Sequence, residues 1–289
     1  MQVVDFSSVI LSNLFVALGK HTNAKITVGM LQHMILNSLR SSRSKFRSEY
    51  GELVIACDGK NTWRRRIFPY YKASRKKARE ASELDWGELF EMIAQIRDEI
   101  REVFPYPVVH VDEAEADDVI YTMVKNFFDQ EPILILSADK DFKQLHRFQG
   151  VRQFDPIDHG GDGRGGRWIQ CDDPAQYLRE HVLRGDTGDG VPNILSPDNC
   201  LVVGQRQKPM TKKRLEFFLN EPIESWPDEE HRRNFHRNSQ LIDLRNCPEQ
   251  VEVQILDSYS SQLGKGREKL FNYFTTNRLK VLTESIGDF

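Results

Sequence analysis

Cysteine pairs are missing from this chain. Cys57, Cys171, Cys200 and Cys247 lie far apart with no Cys-x-x-Cys among them, which excludes a zinc knuckle or a disulfide framework and points to reduced thiols. Long apolar runs are missing too. Nothing approaches the ~18 residues of a membrane span, and Met1 to Asp5 offers neither the basic nor the apolar part of a secretion signal. A soluble protein without membrane partners, in the cytoplasm, is therefore expected. Neither charge sign dominates the 289 residues, since 40 Lys and Arg face 43 Asp and Glu for a net charge of −3. What is present in quantity is core material: 39% hydrophobic residues, with 17 Phe, 8 Tyr and 4 Trp. That excludes wholesale disorder and suits one large domain or two.

The balanced charge conceals segregation. Arg40 to Arg79 holds 13 Lys and Arg against Glu49, Glu52 and Asp58, whereas Glu80 to Asp118 holds 13 acids against Arg97 and Arg101. Such basic stretches commonly meet phosphate backbones, and clustered acids in the same chain suggest a divalent metal. A pair of solvated helix faces is the plainer alternative.

Short apolar strands alternate with helical patterns through the first half. Strands are predicted at Gln2 to Phe6, Leu53 to Cys57, Val108 to Val111, Ile133 to Leu136 and Val151 to Phe154. Helices are predicted from about Thr27 to Phe46, through the Leu89 to Val103 stripe, and from about Glu113 to Phe128. Fully apolar strands separated by helices imply an α/β fold, a mainly parallel central sheet covered on both faces. The glycine-rich His159 to Trp168 reads as an exposed loop, after which Asp173 and Pro174 start a helix reaching about Leu183. The expected division is an α/β domain over 1–170 and a mainly helical domain over 171–289. Basic clusters in the latter (Arg206, Lys208, Lys212, Lys213, Arg214; Arg232, Arg233, Arg237) are singly no more than surface.

An acid follows every core strand of the first four. Asp5 ends the first, Asp58 follows the second, Glu115, Asp117 and Asp118 open the helix after the third, and Asp139 and Asp141 follow the fourth. Asp186 and Asp189 occupy a glycine-rich turn after the Pro174 helix. Each singly is an ordinary cap or turn residue. Together, in a parallel sheet, the strand-end set converges on one edge, where mutual repulsion is tolerable only with bound cations. Oxygen ligands select hard ions, Mg²⁺ or Mn²⁺, and two such ions sharing carboxylates suit phosphodiester displacement.

Lys60 to Arg79 has nine Lys and Arg, no acid, and Trp63, Phe68, Tyr70 and Tyr71 interleaved. Cations and aromatics together suit a single strand, neutralising its backbone and stacking its bases. The segment leaves from Asp58 and returns through a helix near Trp86, so it can reach over the carboxylates.

These residues resemble the 5′-nuclease family of flap endonucleases and phage 5′-exonucleases. The resemblance is carried by Val4-Asp-Phe-Ser7, Cys57-Asp58, Trp63-Arg-Arg65, Tyr70-Tyr-Lys-Ala-Ser-Arg75, Lys77-Ala-Arg-Glu80, Asp112-Glu-Ala-Glu-Ala-Asp-Asp118, Ser137-Ala-Asp-Lys-Asp-Phe142, Gln144-Leu-His146 and Arg184-Gly-Asp-Thr-Gly-Asp189. It implies a PIN-like 5′-nuclease fold and two Mg²⁺ ions, with Mn²⁺ able to substitute. Asp5, Asp58, Glu115, Asp117 and Asp139 would serve the first ion, and Asp141, Asp186 and Asp189 the second, with Asp118 behind them. It also implies a helical arch over about 60–85; its crowded cations repel each other, so it is expected to be mobile until substrate binds. Lys72 and Arg75 would act near the scissile phosphate, and Arg64, Arg65, Tyr71, Lys76 and Arg79 would guide the strand.

A helix-turn-helix element over about 174–200 normally grips duplex backbone in this family, often with potassium. Here Asn193-Ile-Leu-Ser-Pro197 stands where a second glycine-rich turn is usual. The implied activity is 5′-to-3′ exonuclease, flap endonuclease and ribonuclease H chemistry in DNA replication, in a host-cell cytoplasm if the chain is phage-encoded. Its partners would be nicked or flapped duplex and RNA–DNA hybrid, with the chain a monomer; Arg267 to Phe274 could dock a single-strand-binding protein or sliding clamp, but an ordinary amphipathic helix is the preferred reading there. Two other readings compete. A Toprim-type module also uses a Glu and an Asp-x-Asp pair, and a non-catalytic nucleic-acid binder would be expected to have lost acids.

Overall fold

The computed structural model describes residues 1–19, 26–157 and 166–289. Strands β1 (Gln2–Asp5), β2 (Leu53–Cys57), β3 (Val108–His110), β4 (Ile133–Leu136) and β5 (Val151–Asp155) are parallel, and β6 (Arg167–Ile169) adds an antiparallel edge, in the order β3-β2-β1-β4-β5-β6. Val3 pairs with Val54 on one side and Ile135 on the other. This register brings the carboxyl ends of β1, β2 and β4 to one edge.

Alternate residues of each strand face opposite sides. Val4, Ile55, Leu134 and Leu136 pack beneath α1 (Phe6–Leu18), α2 (Val28–Tyr50) and α5 (Trp86–Val103). Val3, Val54, Val109 and Ile135 pack beneath α6 (Ala116–Phe127). Between β2 and α5, the basic segment folds as two short helices, α3 (Trp63–Ile67) and α4 (Ser74–Glu80). No helix among the described residues is long and apolar enough to cross a membrane.

Helix α1 lies outside the sequence expectations. Its thirteen residues are apolar on nearly every side and carry no clear stripe, so only the Asp5 cap, which accepts from the Ser8 amide, marks its start. Helix α2 starts where expected, capped by Thr27, but continues to Tyr50, its serine-rich last turns being held by buried Phe46 and Tyr50. Of the glycine-rich stretch expected to be a loop, residues 159–165 lie outside the described residues. Its end is β6, where Trp168 packs 5.1 Å from Phe154 and 5.7 Å from Phe46 between ring centres.

After β6 follow α7 (Pro174–Arg184), α8 (Lys212–Asn220), α9 (Glu229–Ile242), α10 (Glu249–Ser260), α11 (Leu270–Thr276) and α12 (Lys280–Glu284). Packing crosses the expected boundary at residue 170. Leu244, Val251 and Ile255 belong to the α6 side of the sheet core, and Leu270, Phe274 and Phe289 to the other side. The Gln262 side chain also hydrogen-bonds the amide and the carbonyl of Val108, covering the β3 edge. A separate cluster forms around Leu183, Ile194, Leu215, Phe218 and Trp226, whereas Leu178, Val182, Leu241 and Ile242 pack with Phe68 and Tyr71.

The helix-turn-helix span contains one helix. At φ +68° the Gly185 backbone ends α7, and a Cβ there would stand 2.4 Å from the Val191 carbonyl. From Val191 to Thr211 the chain forms turns, and the next helix waits until Lys212. Side chains of α9 satisfy the carbonyls of this region: Asn238 donates to Val182 and Pro192, and Asn234 to Ile194 and Ser196.

Candidate metal centre

The parallel register delivers Asp5, Asp58, Asp117 and Asp139 to one sheet edge, and the turn after α7 adds Asp186 and Asp189. With Asp141 these carboxylates line a cleft of about 410 Å³ that Lys72, Arg75 and Lys140 also face. Local hydrogen bonds aim several of them. Asp5 accepts from the Ser8 amide at 3.1 Å and the Ser137 hydroxyl at 2.8 Å. Asp58 accepts from the Ala116 amide at 3.0 Å, Asp139 from the Asp141 amide at 2.9 Å, and Asp186 Oδ1 from the Gly188 and Asp189 amides.

So dense an array resists full ionisation. Burial, then the charge of Asp58, pushes Asp5 up to about 7. Burial and Asp139 push Asp141 up to about 7 and drive Asp117 well above the ordinary range.

The protein supplies part of the compensating charge itself. Lys72 Nζ lies 2.6 Å from Glu115 Oε1 and 3.5 Å from Asp189 Oδ2, and Arg75 donates to Asp189 Oδ1 at 2.5 Å. The Tyr71 hydroxyl stands 2.8 Å from both Glu115 Oε2 and Asp189 Oδ2. Burial pushes Glu115 upward, but Lys72 and Arg64 outweigh it and hold the carboxyl down at about 2. Lys72 is aimed by its backbone, which adopts φ 55° and donates its amide to the Asp189 carbonyl at 2.7 Å. Gly190 at φ +74° permits that approach, since a Cβ there would meet the Tyr70 carbonyl at 2.6 Å.

Several expected roles change on this geometry. Arg64 is 1% exposed, donating to Glu115 at 3.0 Å, to Asp118 at 2.9 Å and to the Leu241 carbonyl at 2.9 Å. It cannot guide a strand. Tyr71 is likewise buried, against Leu178, Val182 and Leu241. Asp118 is fully buried and does not line the cleft; it accepts from Trp63, Arg64 and the Glu115 amide as half of a capping box. Glu115 lies behind Lys72 rather than on the cleft wall.

Arg65, Lys76 and Arg79 are exposed, Arg79 over the rings of Phe90 and Trp86. The self-repelling arch expected from composition is folded here because acids pair with its cations: Glu115 and Asp118 with Arg64, Glu113 with Arg66, Glu115 with Lys72, Asp189 with Arg75.

His181, on α7, is a site residue absent from the sequence expectations. Its Nε2 lies 3.1 Å from Asp186 Oδ2 and its Nδ1 3.5 Å from Asp141 Oδ1. One ligand atom each from Asp141, His181 and Asp186 lies within 4.8 Å of the others. Asp141 Oδ1 and His181 Nδ1 are buried without a hydrogen-bond partner among the described residues, as fits groups able to bind a metal ion. These residues form a divalent-metal site, and its donor set is not all oxygen. The available signal was position: a histidine one turn before the Gly185-Asp-Thr-Gly-Asp189 turn. On a helix whose stripe is Leu178 and Val182, it reads as ordinary core.

Comparison with known proteins agrees with this architecture. Residues 1–162 match the family described as 5′-3′ exonuclease, N-terminal resolvase-like domain, and residues 176–289 match the C-terminal family of T4 RNase H. Ribonuclease H of Enterobacteria phage T4 is 31% identical over 298 aligned positions, covering 99% of this chain and 95% of that protein. The flap endonuclease Xni of a Shewanella species is 31% identical over 49% of this chain and 52% of its own length. Among solved structures, the D15 protein of phage T5 with metal ions superposes with a TM-score of 0.57 at 16% identity, over 97% of this chain and 98% of that one. A complex of the T5 D15 flap endonuclease with DNA and metal ions gives 0.58 at 18%, with the same coverage. Both show the shared fold. With the carboxylate cleft in place and the match running through both family models, the chain belongs to the 5′-nuclease family of flap endonucleases and phage ribonucleases H, a group of metal-dependent phosphodiesterases.

Proposed function

We propose that this nuclease acts from 5′ ends, using two Mg²⁺ ions to remove RNA primers and 5′ flaps from duplex DNA during replication. The observation that carries the reading is one cleft in which seven aspartates from five separate segments meet Lys72 and Arg75. Asp5, Asp58, Asp117 and Asp139 would hold one ion, with Mn²⁺ able to replace Mg²⁺, and the Asp141 end the other. When bound, the ions supply a water nucleophile at neutral pH and neutralise charge on the attacking and leaving oxygens.

The chain's own residues do the rest. Lys72 leaves Glu115 for the phosphate and stabilises the charge that develops on it, while Arg75 exchanges Asp189 for a neighbouring phosphate. Arg65, Lys76 and Arg79, exposed beside the cleft, hold the single strand through salt-sensitive contacts. A strand reaching the cleft beneath α3 and α4 does so by its free 5′ end, which accounts for polarity. Residues 174–200, whose turn delivers Asp186 and Asp189, would grip the adjoining duplex. Flapped or nicked DNA and RNA–DNA hybrid are the proposed substrates of a monomer, with a single-strand-binding protein or sliding clamp docking near Arg267 to Phe274.

The test uses end-labelled flap, nicked and RNA–DNA substrates with Mg²⁺ or EDTA. Cleavage from the 5′ side that EDTA abolishes supports the reading. Inertness on all three substrates, or equal digestion of circular and linear single strands, refutes it.

A further inference from the structure

The turn that carries Asp139 and Asp141 is held from behind by a side chain that does not line the cleft. Strand β4 ends its pairing with β5 at Leu136, and one more backbone bond follows, from the Ser137 amide to the Phe154 carbonyl at 3.1 Å. Past that point the chain turns into a short 3₁₀ helix, Lys140–Arg147. Gln153 of β5 grips the turn. Its Nε2 donates to the Ser137 carbonyl at 2.9 Å and to the Asp139 carbonyl at 2.7 Å. The residue is fully buried. A strand covered on both faces ordinarily carries apolar residues at such a position, so the amide has a task other than packing.

That amide can be oriented in one way only. Both hydrogens of its nitrogen are committed to the two carbonyls, which leaves its oxygen for His146, whose Nε2 lies 3.1 Å away. The reverse flip would set an amide oxygen against two carbonyl oxygens. His146 Nε2 therefore carries the ring proton, and the network runs in one direction, from His146 through Gln153 to the backbone on either side of Ala138.

Three carboxylates depend on this short stretch. Asp139 belongs to it. The Asp141 amide donates to Asp139 Oδ1 at 2.9 Å, and the Ser137 hydroxyl accepts from the Asp139 amide at 3.1 Å while donating to Asp5 Oδ2 at 2.8 Å. A shift of residues 137–139 would displace all three acids together.

We propose that Gln153, oriented by His146, is a positioning residue of the metal centre: it sets the Ser137 to Asp139 turn so that Asp5, Asp139 and Asp141 present their carboxylates in a fixed arrangement. It touches neither ion nor substrate. This rests on the proposed function only in taking the cleft for the metal centre.

The experiment uses the full chain, first without nucleic acid, with Mg²⁺ titrated by calorimetry into the wild type, Gln153→Leu and His146→Phe. Gln153→Leu removes both donors with little change of volume and should weaken Mg²⁺ binding by about 10- to 100-fold, as losing the groups that orient metal ligands does. His146→Phe frees the amide to flip and should move the affinity the same way by less. In cleavage assays the Mg²⁺ concentration needed should rise in step, with kcat recovering as Mg²⁺ is raised and KM for the nucleic acid unchanged. A residue that merely supports the fold would lower the denaturation midpoint and leave the Mg²⁺ affinity of the folded protein as it was; that result overturns the proposal. Should Gln153→Leu not fold, His146→Phe decides, since its ring is only half-buried, and an unchanged Mg²⁺ affinity there overturns the proposal too. A wild type that binds no Mg²⁺ would overturn the metal centre itself along with this role, whereas normal wild-type binding with unchanged variants overturns this role alone.

Discussion

The two sides of the carboxylate array are neutralised by different means. Glu115 and Asp189 are held by Lys72, Arg75 and Arg64, and burial does not prevent Glu115 from ionising, at about 2. Asp5 and Asp141 have burial and a neighbouring acid, Asp58 and Asp139 respectively, as the leading influences, and each rises to about 7. Buried carboxylates therefore behave oppositely according to whether a cation of the chain or an ion from solution is meant to meet them.

That contrast can be broken most severely by Asp139→Asn, which removes a ligand from the unpaired side and leaves the basic segment intact. Cleavage should fall by about two orders of magnitude or more, as expected when several kcal/mol of metal-borne charge stabilisation is lost, while gel-shift binding persists. Near-normal turnover in Mg²⁺ would sink the assignment.

On the paired side, Arg64→Met leaves Glu115 and Asp118 buried without their guanidinium. Chemical denaturation should show a loss of about 3 to 5 kcal/mol, whereas a surface role would leave stability unchanged. Lys72→Ala should slow the chemical step by about 3 kcal/mol in single-turnover assays. If only KM moves, Lys72 binds substrate without acting on the transition state.

The pH dependence separates the two sides more gently. Asp5 and Asp141 have folded values raised from 3.8 to about 7. Between those limits the folded state holds more protons than the unfolded one, so the metal-free protein should lose stability as pH rises through that window. Glu115 has the opposite sign: its contribution is present above its ordinary 4.5 and is lost as pH falls toward about 2. Divalent ions bind the ionised forms, so the Tm gain on adding Mg²⁺ should grow from about pH 4 to about pH 7. A gain independent of pH would show that these acids do not meet the ion.

The smallest effect is expected from Arg65→Ala with Lys76→Ala on the exposed face. Binding should weaken, and the salt slope should flatten by about one for each phosphate no longer neutralised, with kcat unchanged. An unaltered slope would remove both residues from the strand path.

Much of this was legible in the linear chain. Each of the four inner strands is a short apolar run, and the acid that follows it is a local feature of the turn. Once such strands are parallel, their acids share an edge by geometry. The chemistry of Asp5, Asp58, Asp117 and Asp139 could thus be anticipated without coordinates. Helix α1 could not, because its exposed face carries Phe15 and Val16, and apolar residues on both faces leave no periodicity to read.

The basic segment marks the limit. Its charge and position beside Asp58 are properties of the sequence, but Arg64 and Arg65 are chemically identical neighbours, and which one turns inward depends on α3, a helix of five residues too short to show a stripe. His181 and the return of residues 244–289 to the sheet belong to the same class. Composition, strand positions and the acids after the strands were determined by the sequence itself, since they rest on nearest-neighbour patterns. The orientation of Arg64, the pairing of Lys72 with Glu115 and the meeting of His181 with Asp141 were decided only by tertiary structure, because each depends on groups at least 40 residues apart in the chain that packing alone brings within about 3.5 Å.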